Sequence, residues 1–286
     1  MNRAQEFHYR LPGAPGGSRP GVHRSTTLGP GISFAAHKRL FDQPDPRRLD
    51  LRASLRDPRG DWLVRVNRQH SSVPIQALVD VSASMFFGGR KTKLAVACDF
   101  IEALGYSAFR HGDAVGMMGF DTEARDDIFL PPSTSRGSGI NMVQALQTLK
   151  FDDARAGHLR GLHDCISRLG KTALVFIISD FHGPLDTLES QMDQFGSATP
   201  IPVVVWDPAE TQPPESGGWL SVSDAESGQT RNLWLRHSIR RRWVNQVGQR
   251  KAELDALFKR KDVQPFYMEG KFNAEAMTRY FIENIL

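Results

Sequence analysis

The sequence predicts an α/β protein with a doubly wound, mostly parallel sheet, preceded by an N-terminal extended arm and strand extension. Three features carry that prediction. Short apolar runs, VPIQALVDVS (73–82), KTALVFIIS (171–179) and IPVVVWD (201–207), recur along the chain, and near-continuous apolarity suits strands buried on both faces. Segments with a helical apolar period separate them. Residues 11–32, LPGAPGGSRPGVHRSTTLGPGI, are instead rich in Gly and Pro, which favours loop or extended backbone with little regular structure of its own. Strands alternating with helices imply parallel pairing under helices on both faces.

The elements follow in order. Residues 41–62 hold the turn signals Gln43-Pro44, Asp45-Pro46, Asp57-Pro58 and Arg59-Gly60. WLVRVNRQ (62–69) alternates as a strand does, and 73–82 follows as the central strand. In 91–110, Leu94, Ala97, Cys98, Ile101, Leu104 and Ala108 line one helical face. DAVGMMGF (113–120) reads as a strand. GINMVQALQTL and DDARAGHLRGLHDCISRL read as helices, and the strand 171–179 comes next. LDTLESQMDQF is a helix before the strand 201–207. Two short strands are expected around 219–222 and 230–235, then a long basic helix over 237–259, a strand at VQPFYME and a helix at NAEAMTRYFIENIL. The expected division is an arm with its strand extension over 1–72 and an α/β domain over 73–286.

Composition narrows the functional classes. A chain of 286 residues with 40% apolar and 24% charged residues is of ordinary globular composition. No apolar run approaches the ~20 residues of a membrane span, and MNRAQEFHYRLPG has no apolar signal region. Cys98 and Cys165 give no disulfide framework. These features lead to the expectation of a cytoplasmic protein. The charge is uneven: residues 1–70 carry 13 Lys+Arg against 6 Asp+Glu, and the remainder 23 against 26. A basic segment can meet nucleic acid, acidic lipid or an acidic protein face, but no aromatic interleaving, helix-turn-helix or zinc-finger spacing accompanies it, so nucleic acid is not expected as a partner. No G-x-x-x-x-G-K-[ST] phosphate loop and no G-x-S-x-G nucleophile elbow occur.

The stretch LVDVSASMFFGG (78–89) carries the chemistry. An apolar strand ends in Asp80, with Ser82 and Ser84 at alternate positions, and VFIISD ends a second strand in Asp180. In open parallel sheets, ligands sit beyond the carboxyl ends of the strands, at the switch in strand order. Two buried carboxylates in one crevice need compensation. Carboxylate and hydroxyl oxygens suit a hard ion, Mg²⁺ or Ca²⁺. The plainer alternatives are that the serines satisfy turn amides and that the aspartates cap helices.

These residues resemble a known pattern. Asp80, Ser82 and Ser84 are similar to the D-x-S-x-S signature of the metal-ion-dependent adhesion site of von Willebrand factor A domains, and Asp180 in SDFHG resembles that site's third-loop aspartate. The surrounding segments GPGISFAAHKRLFDQPDPRRLDLRAS and DPAETQPPESGGWLSVSDAESGQT resemble the domain of unknown function 58 family, from about residue 10 to the C-terminus. Within it, HYRLPGAPGGSRPGVHRSTTLG and RLFDQPDPRRLDLRASLRD are similar to the MxaS-like branch of methanol oxidation clusters. The resemblance implies a von Willebrand A-like fold and a non-enzymatic adaptor. It also implies a Mg²⁺ (or Ca²⁺) ion that receives a partner's acidic side chain, a MoxR-type AAA+ ATPase as partner, and a client such as methanol dehydrogenase that is matured, remodelled or loaded with metal. The family pattern has a Thr in its second loop. Here that loop reads PPSTSRGSGINMVQAL, leaving Ser138, Asn141 or Thr134 as candidates for the remaining ligand.

Two further sets complete the candidates. Arg47, Arg48, Asp50 and Arg52 form a charged cluster that reads as a solvated loop or as a docking surface, since paired Arg groups grip carboxylates. His182, two residues after Asp180, opens a second class of function, a Mg²⁺-assisted hydrolase using Asp80, Asp180 and His182. A third reading is a metal-free interaction scaffold. The basic helix over 237–259 reads as a solvated face or a partner contact.

Overall fold

The computed structural model describes residues 5–9, 20–29, 33–151, 159–170, 174–214, 218–223 and 230–284. The parts of the expected elements at 11–19, 30–32, 152–158 and 171–173 lie outside the described residues. The first described segment enters the core: Phe7 is fully buried, its ring 5.9 Å from Phe100, 6.0 Å from Phe272 and 6.4 Å from Phe281. Residues 5–9, grouped with the arm on sequence, therefore pack within the α/β unit.

Part of the Gly/Pro-rich arm forms a strand, β1 (Pro20–Gly29), which with β2 (Ser33–Arg39) flanks β3 (Leu63–Ser71) in an antiparallel three-stranded sheet. A short helix, α1 (Leu51–Arg56), packs on β3 through Ser54, whose hydroxyl accepts from the Leu63 amide at 2.9 Å.

The central sheet starts with β4 (Pro74–Asp80), buried at every position but the first. Next comes α2 (Lys93–His111), capped by Thr92 at its start and by left-handed Gly112 (φ 69°) at its end. The chain continues through β5 (Ala114–Phe120), β6 (Ala124–Ser133), α3 (Ser138–Gln147), α4 (Arg160–Ser167) and β7 (Leu174–Ser179). After these come α5 (Leu185–Met192), β8 (Thr199–Trp206), α6 (Pro208–Thr211) and the hairpin β9 (Trp219–Ser223) with β10 (Thr230–Trp234). The long α7 (His237–Arg260), β11 (Phe266–Glu269) and α8 (Ala274–Asn284) follow.

The six strands lie in the order β11-β8-β7-β4-β5-β6, all parallel except β6. From β4 the chain winds outward to β5 and β6, then returns to the other side of β4 as β7. The order therefore switches between β4 and β7, and the fold is the expected doubly wound α/β class. One core layer joins Ile75, Ala77 and Val79 to α2 and α8; the other joins Leu78, Val175 and Ile177 to residues of α4, α5 and α7. β6 is absent from the sequence reading. Its ARDDIFLPPS carries charges and two prolines, which an edge strand tolerates because one side needs no partner.

Candidate functional site

β4 and β7 are neighbours and their carboxyl ends coincide, so Asp80 lies beside Ser179 and just ahead of Asp180. Both aspartates are 4% exposed. The Ser179 hydroxyl donates to Asp80 Oδ2 at 2.6 Å, and the Ser82 amide donates to Oδ1 at 2.9 Å. The Ser82 and Ser84 hydroxyls are 3.2 Å apart, and Ser84 hydrogen-bonds toward Asp180. The structure thus brings Asp80, Ser82, Ser84 and Asp180 together at the switch point.

It also adds two residues that the sequence reading lacked. Lys93, the first residue of α2, is 1% exposed, and its Nζ donates to Asp180 Oδ2 at 2.7 Å and to Glu210 Oε1 at 2.6 Å. A lysine there opposes the positive end of the helix dipole, and burial alone would drive off its proton. The two carboxylates outweigh the burial and raise the Lys93 pKa. Glu210 comes from α6, where Asp207 caps the helix and Glu210 Oε2 accepts from the Asp207 amide at 3.2 Å. Asp207 also accepts from the Gly89 amide at 3.2 Å, tying α6 to the loop after Ser84.

The carboxylates differ accordingly. Burial, then the charge of Asp180, pushes the Asp80 carboxyl up to about 6. Burial pushes Asp180 upward too, but Lys93 and then His182 outweigh it and hold that carboxyl well below its ordinary value. Glu210 is likewise held low against its burial by His182 and Lys93.

The loop after Asp180 is strained. Phe181 has φ 52°, a left-handed conformation costly for a bulky residue. It is over-determined by its surroundings. The Phe181 amide donates to Ser179 Oγ at 3.1 Å, its ring is fully buried 5.6 Å from Phe258, and Arg250 donates to its carbonyl at 2.5 Å and to that of Gly183. His182 stacks on Trp206 at 6.0 Å and lies 3.9 Å from Glu210 Oε2. Its backbone amide, not its ring, bonds Asp180. Beside it opens a pocket of about 360 Å³ lined by Trp206, Glu210, Trp243, Val247 and Arg250.

The loop candidates are not brought to this site. β6 runs antiparallel to β5 and places Ser133 beside Val115, which neighbours Ile75 at the start of β4. Thr134 follows Ser133, about 16 Å from Asp80 at the rise of a strand. Gly139 packs against Gly105 so closely that a Cβ on Gly105 would lie 2.3 Å from its Cα. Gly105 is about 18 Å along α2 from Lys93. Ser138 and Asn141 therefore sit near the far end of the sheet, and Ser138 Oγ donates to the Ser133 carbonyl at 3.4 Å. The element that does start beside the end of β5 is α4, where the Gly161 amide donates to the Asp121 carbonyl at 3.0 Å and buried Leu159, which bears no hydroxyl, precedes the helix.

The residues present do not fit the divalent ion that the resemblance implies. Asp180 is committed to an ammonium, whose positive charge repels a second cation, and the loop donors are at the other end of the sheet. Among the described residues, no group of three or more His, Cys, Asp or Glu side chains is placed to hold a metal.

The docking candidates lie elsewhere, on the N-terminal sheet. Asp50 caps α1 through the Ala53 amide at 3.0 Å and meets His37 Nε2 at 3.1 Å, which gives it a structural role. Arg48 pairs with Asp45 at 3.1 Å, while Arg47 and Arg52 are exposed.

The fold and site define a doubly wound α/β protein with a charged, hydrogen-bonded centre at its topological switch. The chain belongs to the family described as protein of unknown function DUF58, whose model matches residues 43–253. Among solved structures, it is similar to an aerotolerance-related membrane protein from Bacteroides fragilis, with 15% identity, 75% of this chain and 98% of that chain covered, and a TM-score of 0.45. It is also similar to the conserved hypothetical protein BatB from Bacteroides thetaiotaomicron, with 14% identity, 75% and 98% coverage, and a TM-score of 0.44. No curated protein matches. No helix among the described residues is long and apolar enough to cross a membrane.

Proposed function

We propose that this chain is a non-enzymatic protein-binding adaptor that works through the carboxyl end of its sheet. The observation that carries the reading is the convergence of Asp80, Ser82, Ser84, Asp180, Lys93 and Glu210 at the switch point beside an open pocket. Such crevices are where this class of sheet takes its ligands. Every carboxylate there is engaged in ion pairs or hydrogen bonds, an arrangement suited to recognition more than to turnover. The sequence resemblance supplies the finer proposal: a cytoplasmic partner of a MoxR-type AAA+ ATPase, acting on a client such as methanol dehydrogenase.

The test is direct binding of the purified chain to the MoxR-type ATPase by calorimetry. Saturable binding weakened at least tenfold by Ser84→Ala or Asp80→Asn supports the reading, with circular dichroism confirming that each variant is folded. Absence of binding, or binding indifferent to both changes, sinks the crevice as the interface. Turnover of a phosphoester panel that disappears in His182→Ala would replace the adaptor reading with a hydrolase.

A further inference from the structure

Lys93 has two partners of different standing. Asp180 is part of the buried floor. Glu210 comes from a four-residue helix, its side chain is 22% exposed, and it also lines the pocket of about 360 Å³. The pocket is walled by the indoles of Trp206 and Trp243 and by Val247, with Arg250 at its edge. Arg250 Nε is buried there without a hydrogen-bond partner among the described residues, and an unmet buried donor is costly enough to mark a place for an acceptor. The pocket thus leads from solvent to an ammonium through a displaceable carboxylate, past apolar walls and an unused donor.

Resting on the protein-binding reading above, we infer that Glu210 is a built-in stand-in for a partner's carboxylate. An Asp or Glu side chain next to an apolar residue enters between Trp206 and Trp243, displaces Glu210 and takes its place on the Lys93 ammonium, with no metal between them. The apolar neighbour fills the indole-lined space, and an acceptor of the incoming chain meets Arg250 Nε. Charge balance is kept, because one carboxylate replaces another and the buried ammonium is never left with Asp180 alone. The Glu210 side chain is the moving part: it leaves Lys93, the Asp207 amide and His182, while α6 stays tethered by Trp243 Nε1 donating to the Glu210 carbonyl at 2.6 Å and by the Gly89 amide donating to Asp207. The occupant is therefore an acidic segment with an adjacent large apolar side chain, and Glu210 sets the affinity threshold that it must beat.

The probe is the capped peptide acetyl-Gly-Phe-Glu-Gly-amide, with its Gln counterpart as control, titrated against the full chain and followed by tryptophan fluorescence and calorimetry. Glu210→Gln, which keeps the helix cap, is expected to bind the Glu peptide at least fivefold more tightly than the wild type. Lys93→Met is expected to lose binding and Lys93→Arg to retain it, and EDTA or Mg²⁺ to change nothing. The inference is overturned if Glu210→Gln binds no tighter than wild type, if the Gln peptide binds as well, if EDTA abolishes binding, or if none of the proteins binds the peptide. ATPase binding that persists while the peptide series fails removes this inference and leaves the adaptor reading. A peptide series that behaves as expected without ATPase binding keeps the crevice as a protein-binding site and removes the MoxR-type ATPase as its partner.

Discussion

The two ends of the central sheet solve the same problem differently. At the amino end, Asp113 is fully buried just before β5. Its Oδ1 accepts from the Val73 amide at 2.7 Å and its Oδ2 from the Tyr9 hydroxyl at 2.5 Å. Burial and this carboxylate drive the Tyr9 hydroxyl far above its ordinary pKa, so it stays a donor. At the carboxyl end, Asp80 and Asp180 are equally hidden, but they are compensated by hydroxyls and by an ammonium shared with a partly exposed Glu210. A carboxylate closed by backbone and a core phenol is fixed. One closed through a shared cation can exchange partners, and the proposed binding role rests on that difference.

The largest expected effect comes from breaking the shared cation. Lys93→Met leaves Asp180 and Glu210 facing each other, and urea denaturation should show a loss of about 3–5 kcal/mol, the usual cost of orphaning a buried charge. A loss under about 1 kcal/mol would mean that water already solvates the centre. Next comes Tyr9→Phe at the other end, which removes a hydrogen bond to a buried carboxylate and should cost about 1.5–3 kcal/mol while leaving binding of the acidic peptide unchanged. Altered peptide affinity would show that the two ends are coupled.

The pH dependence sharpens the contrast further. Asp80 is raised to about 6 from an unfolded value of about 3.9, so between these values the folded chain holds more protons than the unfolded one. This group's contribution therefore falls as pH rises from about 4 through 6 and is level above that. Asp180 is lowered, so its contribution is present above about pH 4 and fades as pH falls below that. In Asp80→Asn the decline between about pH 4 and 6 should vanish from the melting profile, and an unchanged profile would assign that slope to other groups. The smallest effect is that of metal: a few mM Mg²⁺ or EDTA should move the wild-type melting temperature by less than about 1 °C. A rise of several degrees with Mg²⁺ would restore an ion to the crevice.

Most of the fold was legible because apolar strands and periodic helices alternate clearly. β6 was not, because Pro131, Pro132 and its charged residues mimic a loop. That single miss inverted part of the site. Without an antiparallel strand after β5, the loop holding Thr134, Ser138 and Asn141 falls at the ligand end of the sheet, whereas with β6 it falls at the opposite end. Asp80, Ser82, Ser84 and Asp180 were legible from strand ends alone. Lys93 was hidden because a lysine at a helix start reads as solvated, although its placement against the dipole was the available signal. Glu210 was hidden inside an ordinary D-x-x-E helix start.

The aromatic knot around Phe7 has a consequence for biosynthesis. Its ring packs on Phe100 and on Phe272 and Phe281, so one core layer joins the earliest described residues to nearly the last. That layer cannot close before α8 has emerged from the ribosome. The chain emerges with Phe7 and the apolar face of α2 waiting for α8, and native packing is completed only after Phe281 is released from the exit tunnel.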